Sequence, residues 1–299
     1  MSEFKDKVVV ITGAGNGIGR SHALAFAARG ARVVVNDPGG SVDGEGTSDV
    51  ADQVVDEIRA AGGEAIANKA SVADRQGAKS IIDDAISAWG TVDILVNNAG
   101  ILRDKTFIKM NLDDFDEVMQ VHLNGTAYVT HAAWPIMYEK NYGRIVLTSS
   151  GSGIFGNFGQ SNYGAAKMGM LGLMNVLAME GKRRNIHVNC LSPGATTRMS
   201  GTIPGRDVQK APPQMSAEAV TPAVLFMCTE EAPTGKVIHA AAGRYSTIGV
   251  YQNEGVDFGT EAGFDRFMEA KDRILDMSRA EEGSLRRRMM AKAAAAQKS

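Results

Sequence analysis

Short runs of β-branched residues recur along the chain between longer helical patterns, and this alternation limits the fold more than any other sequence feature. The predicted strands are Lys7–Thr12, Arg32–Asn36, Val92–Asn97, Arg144–Thr148, His187–Leu191 and Lys236–His239, with Ala65–Asn68 as a weaker candidate. The predicted helices are Gly17–Arg29, Ser48–Ala61, Asp74–Trp89, Asp113–Lys140, Asn162–Gly181 and Ala217–Thr229. Continuously apolar strands that alternate with helices are typical of a parallel sheet covered on both faces. We therefore expect an α/β fold whose doubly wound sheet has about seven strands.

The first 245 residues contain no internal repeat and no linker rich in proline or serine, so we expect residues 1–245 to form one domain. Residues 246–299 are expected to be a C-terminal extension. Its apolar side chains are spaced as on one face of a helix, which predicts an amphipathic helix over Glu261–Met277. The final stretch, residues 290–299, is rich in alanine and charge and is expected to fray.

Composition and charge exclude several classes of protein. The 299 residues are 44% apolar and 22% charged, as in an ordinary globular protein, and their net charge of −2 gives no general attraction to nucleic acid or to a membrane surface. Cys190 and Cys228 lie in apolar segments without metal-ligand spacing, so we expect buried thiols and no metal. The N-terminal sequence MSEFKDK lacks the apolar core of a signal peptide, and the apolar stretch Gly169–Met179 is too short to span a bilayer. These features predict a cytoplasmic protein.

A glycine-rich segment, Thr12–Gly19, lies between the first strand and the first helix. Glycines at this place let the backbone approach a pyrophosphate closely, and the N-terminus of the helix offers free N–H groups. The segment therefore predicts a dinucleotide site in a Rossmann-type sheet, although a glycine-rich turn without a ligand is the simpler alternative. The candidate cofactor residues in this segment are Gly13, Asn16, Gly17, Ile18 and Gly19.

Asp37 ends the second predicted strand, where a carboxylate can accept hydrogen bonds from the adenosine ribose of a dinucleotide. The same charge would repel a 2′-phosphate, so Asp37 favours NAD over NADP. Asp37-Pro-Gly-Gly is also good turn chemistry, which is the competing interpretation. Arg20 and Arg32 could serve a phosphate or could be solvated surface charges.

Ser150, Tyr163 and Lys167 are the candidate catalytic residues. Tyr163 and Lys167 are four residues apart, so on a helix the lysine lies near the phenol. A free tyrosine has a pKa of about 10, and we expect the ammonium, with a positive nicotinamide ring, to lower it enough for Tyr163 to act as a base. Ser150 follows a predicted strand and could hydrogen-bond the substrate oxygen. Taken alone, Tyr-x-x-x-Lys is also common on ordinary helix faces.

These motifs resemble those of the classical short-chain dehydrogenase/reductases over about Asp6 to Gly243. The matching features are the TGxxxGIG loop at Thr12–Gly19, NNAG at Asn97–Gly100, Asn124 as a helix-kink asparagine, the Ser150, Tyr163 and Lys167 set, and Pro193-Gly194 as a PG turn. The resemblance implies that Lys167 holds the nicotinamide ribose and that Asn124 holds a water linking Lys167 to solvent. Ser71-Val72 replaces the usual Asp-Val that holds adenine. The further cofactor-binding residues it implies are Ser71, Val72, Asn98, Ala99, Gly100, Tyr163, Lys167, Pro193, Gly194 and Thr196.

Three segments carry a more specific resemblance: Val33–Gly40, Asn97–Phe107 and Gly143–Leu173. They are similar to the (3R)-hydroxyacyl-CoA dehydrogenase part of multifunctional enzyme type 2, the type 4 17β-hydroxysteroid dehydrogenase group, including its bacterial stand-alone forms. This resemblance implies NAD-dependent oxidation of a (3R)-hydroxyacyl-CoA to the 3-ketoacyl-CoA in fatty-acid or sterol side-chain degradation. It also implies a homodimer or homotetramer.

The substrate is predicted less directly than the chemistry. Thr196–Gln214 is the predicted substrate lid, with Met199 and Ile203 as apolar cover and Arg198 and Arg206 as candidates to meet a CoA phosphate. A hydroxysteroid dehydrogenase and a 3-ketoacyl thioester reductase are the alternatives within the same reaction class. A non-catalytic nucleotide-binding regulator is the alternative from another class.

Overall fold

The computed structural model describes residues 3–197 and 212–283. An eight-stranded sheet with the order β3-β2-β1-β4-β5-β6-β7-β8 forms its centre, and β1 to β7 are parallel. Its strands are β1 (Val8–Thr12), β2 (Arg32–Asn36), β3 (Glu64–Asn68), β4 (Ile94–Asn97), β5 (Gly143–Thr148), β6 (Ile186–Gly194), β7 (Val237–Ala241) and β8 (Arg244–Ile248). The predicted Rossmann-type doubly wound fold is therefore confirmed.

Helices cover both faces of this sheet. They are α1 (Gly17–Ala27), α2 (Val50–Ala60), α3 (Arg75–Trp89), α4 (Leu112–Met119), α5 (Gly125–Glu139), α6 (Gly151–Phe155), α7 (Ser161–Gly181) and α8 (Thr221–Met227). Short 3₁₀ turns occupy Phe107–Lys109, Lys182–Arg184 and Pro213–Met215. The predicted helix Asp113–Lys140 is present as α4 and α5, which a π-helical turn at Gln120–Asn124 joins. Such turns occur often at functional sites.

The central strands are buried on both faces, which explains their runs of β-branched residues. All of β1 from Val8 to Ile11 is fully buried, and so is β2 from Val33 to Val35. Phe26 of α1 and Ile58 of α2 pack in the same core. The parallel strands end at one edge of the sheet, and the chain reverses its direction of winding between β1 and β4. In open α/β sheets, ligands bind at such a reversal point.

Two differences from the sequence predictions concern the last strands. Pro193-Gly194 does not form a turn, because both residues pair with β7 as the end of β6. A Cβ on Gly194 would lie 2.5 Å from the Cβ of Ala241, so glycine allows the two strands to approach there. The second difference is β8, which is absent from the strands predicted from the sequence. Ala242 and Gly243 connect it to β7 with φ angles of 52° and 72°, as in a type I′ hairpin turn.

By their internal contacts, the residues divide into two compact units, Met1–Thr247 and Ile248–Ser299. The second unit contains α9 (Phe264–Leu275), which lies within the predicted tail helix, and a two-stranded sheet of β9 (Tyr251–Gln252) and β10 (Glu281–Glu282). The predicted frayed stretch, residues 290–299, lies outside the described residues. In the described part of the chain, no helix combines the length and the apolar character needed to cross a membrane.

Candidate active site

A cleft of about 270 Å³ opens where β1, β2 and β4 end, at the reversal point of the sheet. Residues that directly follow the three strands, Gly13, Asp37 and Asn98, line it. The other predicted cofactor residues that line it are Asn16, Gly17, Ile18, Ser71, Val72, Ala99 and Gly100. The structure therefore brings together, around one cleft, residues that lie far apart in the sequence.

The glycine segment forms a close backbone wall on one side of this cleft. Gly13 has a φ of 62°, and a Cβ on it would lie 2.7 Å from the Cα of Ala99. Gly19 does not line the cleft, but a Cβ on it would lie 2.1 Å from the carbonyl oxygen of Gly13. Asn98 fixes the turn, since its Nδ2 donates to the carbonyl oxygens of Thr12, at 3.1 Å, and Gly13, at 2.9 Å. Glycine is therefore a steric requirement at both positions.

Asn16 offers a buried hydrogen-bond donor to the cleft. It directly precedes the N-terminus of α1, and its Nδ2 atom is buried without a hydrogen-bond partner among the described residues. A buried donor without an acceptor costs about 1–3 kcal/mol, so such an atom indicates a place for an acceptor from a ligand. The helix N-terminus adds free N–H groups and partial positive charge. This side of the cleft fits the phosphates of a dinucleotide.

Asp37 is held in the cleft by two backbone groups. Its Oδ2 accepts a hydrogen bond from the N–H of Gly15 at 2.9 Å, and its Oδ1 accepts one from the N–H of Gly39 at 2.8 Å. Each carboxylate oxygen can accept a second hydrogen bond. The side chain is therefore fixed in orientation and still able to bind two ribose hydroxyls.

The segment between β2 and α2 closes part of the cleft, which the sequence analysis did not predict. Its residues Pro38, Gly40, Ser41, Val42 and Gly44 line the cleft. The N–H of Leu102 donates to the carbonyl oxygen of Val42 at 3.0 Å and ties the segment to the residues after β4. The sequence signal was present in the run DPGGSVDGEG, which is longer than a tight turn requires. The remaining lining residues are Ala73, Ile101, Glu117 and Val121, which lie outside the prediction, and Thr197, which belongs to the predicted lid segment.

Several predicted cofactor residues do not line this cleft: Tyr163, Lys167, Pro193, Gly194 and Thr196. The N–H of Thr196 donates to the carbonyl oxygen of Met215 at 2.6 Å, while the next residue, Thr197, does line the cleft. Ser71 is exposed and Val72 is buried at the same edge. The lid residues Arg198, Met199, Ile203 and Arg206 lie outside the described residues.

Ser150, Tyr163 and Lys167 come together where β5 ends and α7 begins. Ser150 directly precedes α6, and its Oγ accepts a hydrogen bond from the N–H of Ser152 at 3.2 Å. The hydroxyl of Ser150 faces the phenol of Tyr163 and lowers its pKa. Lys167 lies one turn further along α7, with its Nζ 5.5 Å from the centre of the Tyr163 ring. The three predicted catalytic side chains therefore form one group.

Lys167 is buried beneath this group. It is 3% exposed, and its Nζ donates to the carbonyl oxygen of Thr148 at 2.6 Å. Ser149 secures the same turn of α7, because its Oγ donates to the carbonyl oxygen of Lys167 at 2.8 Å. Burial disfavours the charged amine and lowers the pKa of Lys167 to about 7. A lysine in this state can gain or lose a proton close to neutral pH.

The pKa of Tyr163 is displaced in the direction opposite to the expected one. Burial raises the pKa of Tyr163 above its ordinary value, and the nearby carboxylate of Asp104 raises it further. The interaction with the Ser150 hydroxyl lowers the pKa, but by less than burial raises it. The lowering expected from Lys167 is not seen, because an amine with a pKa of about 7 is already uncharged in the pH range where the phenol loses its proton. Desolvation is therefore the largest influence on both groups.

The structure does not bring Asn124 to this group. Asn124 is exposed, and its Nδ2 donates to the Oε1 of Gln120 at 2.6 Å. His122 lies against Tyr163 instead, with ring centres 5.1 Å apart and planes at 88°. Residues two apart on a helix point to different faces, so the side chain of Asn124 points away when that of His122 points inward. The expectation for Asn124 is corrected accordingly, and the sequence analysis missed His122.

Comparison with known proteins places the chain among enzymes. Residues 7–205 match the family described as short chain dehydrogenase. A Mycobacterium tuberculosis protein described as a short-chain type dehydrogenase/reductase is 48% identical over 260 residues, which cover 86% of this chain and 90% of that protein. Peroxisomal multifunctional enzyme A of Dictyostelium discoideum is 49% identical over 255 residues, which cover 85% of this chain but 56% of that enzyme. The chain thus spans little more than half of this multifunctional relative.

A solved structure of similar architecture belongs to the same group of relatives. Full-length peroxisomal multifunctional enzyme type 2 from Drosophila melanogaster superposes with a TM-score of 0.80 at 36% identity, covering 98% of this chain and 50% of that one. A short chain dehydrogenase from Mycobacterium avium gives a TM-score of 0.79 at 39% identity, covering 93% of this chain and 97% of that one. The similarity that the motifs indicated is therefore confirmed.

Proposed function

The chain belongs to the short-chain dehydrogenase family, and we propose that it oxidises a (3R)-3-hydroxyacyl-CoA to the 3-ketoacyl-CoA with NAD. Membership of the family makes it an oxidoreductase that binds a nicotinamide dinucleotide. The observation that carries the proposal is the group of Ser150, Tyr163 and the buried Lys167, together with Asp37 in the cleft.

The preference for NAD rests on Asp37. Its carboxylate lies at the end of β2 and is held by the backbone N–H groups of Gly15 and Gly39. A fixed negative charge can accept the two hydroxyls of an adenosine ribose, but it repels a phosphate in place of one of them. The residues we propose to hold the cofactor are Gly13, Asn16, Gly17, Ile18, Asp37, Ser71, Val72, Asn98, Ala99 and Gly100, with Tyr163 and Lys167 at its reactive end.

The chain itself supplies the acid–base chemistry. Tyr163 acts as the phenolate, a form that a bound, positively charged nicotinamide ring would favour against the burial that raises its pKa. The phenolate oxygen accepts the proton of the substrate hydroxyl, and Ser150 donates a hydrogen bond to the substrate oxygen. Lys167 holds the carbonyl oxygen of Thr148 with one N–H and, with a pKa of about 7, can pass a proton to or from Nζ at neutral pH. A bound nicotinamide dinucleotide supplies the two-electron acceptor.

The substrate class rests on the relatives and on the three segments that resemble hydroxyacyl-CoA dehydrogenases. One relative, the peroxisomal hydratase-dehydrogenase-epimerase of Saccharomyces cerevisiae, is 46% identical over 260 residues, which cover 86% of this chain and 28% of that enzyme. Its name includes a dehydrogenase activity among several. We propose that this activity corresponds to the region shared with this chain.

A panel of substrates tests this proposal against its alternatives. Initial rates are measured with NAD and with NADP on 3-hydroxybutyryl-CoA, on a long-chain 3-hydroxyacyl-CoA and on a hydroxysteroid, and Tyr163→Phe serves as the inactive control. We expect NAD-dependent oxidation of a CoA ester. No turnover of any CoA ester would refute the substrate, and faster turnover of the steroid would favour a hydroxysteroid dehydrogenase. Faster reduction of a 3-ketoacyl thioester with NADPH would favour a synthetic reductase.

The assembly and location of the protein are part of the same proposal. We propose a homodimer or homotetramer in the cytoplasm. Cys190 and Cys228 are buried free thiols, which a reducing compartment maintains. Light scattering of the purified chain and fractionation of the producing cell test the two statements separately, and a monomer or a sedimenting membrane fraction would contradict them.

A further inference from the structure

His122 is a buried titratable group that the proposed chemistry does not use. It lies in the π-helical turn between α4 and α5 and is 1% exposed. Its ring meets that of Tyr163 edge to face, with centres 5.1 Å apart. An edge-to-face arrangement is one of the favoured arrangements for pairs of aromatic rings. His122 therefore bears directly on the orientation of the phenol.

A single residue after β4 anchors the imidazole. Its Nε2 lies 2.8 Å from the carbonyl oxygen of Ile101 and 3.1 Å from the N–H of Ile101. In one neutral tautomer Nε2 donates to the carbonyl, and in the other it accepts from the N–H. Both bonds come from the same residue, so the ring keeps its orientation in either tautomer.

The anchor is also part of the wall of the cleft. Gly100 and Ile101 both line the cleft. A Cβ on Gly100 would lie 2.1 Å from the Cε1 of His122, so the imidazole fills the space that any larger residue at position 100 would need. His122 is therefore packed between the cleft wall and Tyr163.

The ring meets Tyr163 as a neutral group. Burial, with a smaller contribution from the charge of Lys167, lowers the pKa of His122 well below its usual value. The Nδ1 atom is buried without a hydrogen-bond partner in the described part of the chain. The contact with Tyr163 thus depends on the shape and position of the ring and not on a charge.

We propose that His122 is a positioning residue, which holds the phenol ring of Tyr163 in a fixed relation to the Gly100–Ile101 wall of the cofactor cleft. The proposal rests on the function proposed above, because it assigns Tyr163 the proton transfer. Misplacing a reacting group by about 1 Å can cost about a hundredfold in rate. A change at His122 therefore lowers kcat with little effect on cofactor affinity.

Two variants distinguish the contribution of the ring of His122 from that of its nitrogen atoms. His122→Phe keeps a flat ring of similar size and loses the bonds to Ile101, whereas His122→Gln keeps an amide for Ile101 and loses the ring. We expect His122→Gln to lower kcat about tenfold to a hundredfold and His122→Phe to lower it less, with the NADH dissociation constant changed less than about threefold in both. His131→Ala, on the exposed face of α5, is the matched control and keeps its kcat.

A titration of Tyr163 tests the contact without any substrate. The tyrosinate absorbance of each His122 variant is measured with and without the additional change Tyr163→Phe. The groups that face the phenol are Ser150, Asp104, Lys167 and His122. Burial raises the pKa of Tyr163. We therefore expect this pKa to fall in His122→Gln, where a polar side chain replaces the ring, and to stay high in His122→Phe, where a ring remains.

Each outcome supports or overturns the proposal. A folded His122→Gln protein with wild-type kcat and an unchanged tyrosinate titration would overturn it. A kcat for His122→Phe below that of His122→Gln would also overturn it, because the nitrogen atoms would then matter more than the ring. If wild-type protein oxidises no CoA ester, the proposed substrate fails, while the titration still decides the contact with Tyr163.

Discussion

The two sides of the active site are built from different parts of the polypeptide. The cofactor cleft is formed largely by backbone at the ends of β1, β2 and β4, where glycines permit close approach. The catalytic group of Ser150, Tyr163 and Lys167 consists of packed side chains: Lys167 is buried, Tyr163 is partly buried, and the buried ring of His122 lies against Tyr163. The first side depends on the absence of side chains and the second on their exact placement. We therefore expect substitutions that add atoms to impair the cleft, and substitutions that remove atoms to impair the catalytic group.

The largest effect should come from removing one oxygen atom from the catalytic group. Tyr163→Phe keeps the ring against His122 and removes the oxygen that we propose accepts the proton. General acid–base catalysis contributes about 10²–10⁴-fold, so we expect kcat to fall about a thousandfold. The NADH dissociation constant, measured by fluorescence titration, should change less than about threefold. A kcat within tenfold of wild type would show that another group accepts the proton.

Adding one carbon atom to the cleft side should weaken cofactor binding. Gly19→Ala places a Cβ within 2.1 Å of the carbonyl oxygen of Gly13, so the backbone must shift. Forced overpacking costs about 1–3 kcal/mol, and we expect the NADH dissociation constant to rise about tenfold or more.

The matched control for this prediction is Gly172→Ala on α7. A Cβ there meets nothing within 4 Å, so we expect it to stabilise the helix by about 0.5–1 kcal/mol without affecting NADH binding. Equal behaviour of the two alanine variants in thermal unfolding and NADH titration would contradict the steric role of Gly19.

Removing the negative charge of Asp37 in the cleft should change the preference between NAD and NADP more than the affinity for the cofactor. Asp37→Asn keeps an oxygen for one of the N–H groups of Gly15 and Gly39 and removes the negative charge. Hydrogen bonds to charged groups are worth about 1.5–3 kcal/mol, so we expect the ratio of kcat/KM with NADP to that with NAD to rise about tenfold. A ratio that stays constant would refute the proposed role of Asp37.

The smallest effect concerns the free energy of unfolding, which the buried amine of Lys167 lowers. The pKa of Lys167 is lowered to about 7 by folding, against an ordinary value of 10.5. Between a pH of about 7 and a pH of 10.5, the amine of Lys167 is protonated in the unfolded chain and neutral in the folded chain. The destabilisation caused by burying this amine therefore decreases as the pH rises. Lys167→Met removes this buried amine, and we expect it to raise Tm, more at about pH 6 than at about pH 9. An equal change in Tm at both pH values would contradict the lowered pKa.

The sequence predicts the sheet and the glycine segment that follows its first strand. Runs such as Val8–Ile11 can be buried on both faces only in a covered sheet, and the glycine segment after β1 places the cleft. The resemblance to the dehydrogenase family implies a PG turn at Pro193-Gly194. In the structure they end β6, because β7 needs a residue without a side chain beside Ala241. That requirement arises only from the pairing of distant segments.

The side-chain group is predicted less completely, for physical reasons. Tyr163 and Lys167 follow from helical spacing, but the choice between His122 and Asn124 depends on which face of the helix points inward. A π-helical turn shifts that face, and no local sequence signal marked it. The directions of the pKa changes at Tyr163 and Lys167 depend on burial by distant segments, which spacing within one helix does not reveal.

In the reaction that we propose, Tyr163 removes a proton from a (3R)-3-hydroxyacyl-CoA while NAD is reduced. The most direct measurement is the rate of NADH formation with the separate (3R) and (3S) isomers of 3-hydroxybutyryl-CoA and of a longer 3-hydroxyacyl-CoA. We predict rapid NADH formation with at least one (3R) ester and, with its (3S) isomer, a rate lower by at least about tenfold. Equal rates with both isomers, or no NADH from either, would contradict the proposed oxidation of a (3R)-3-hydroxyacyl-CoA.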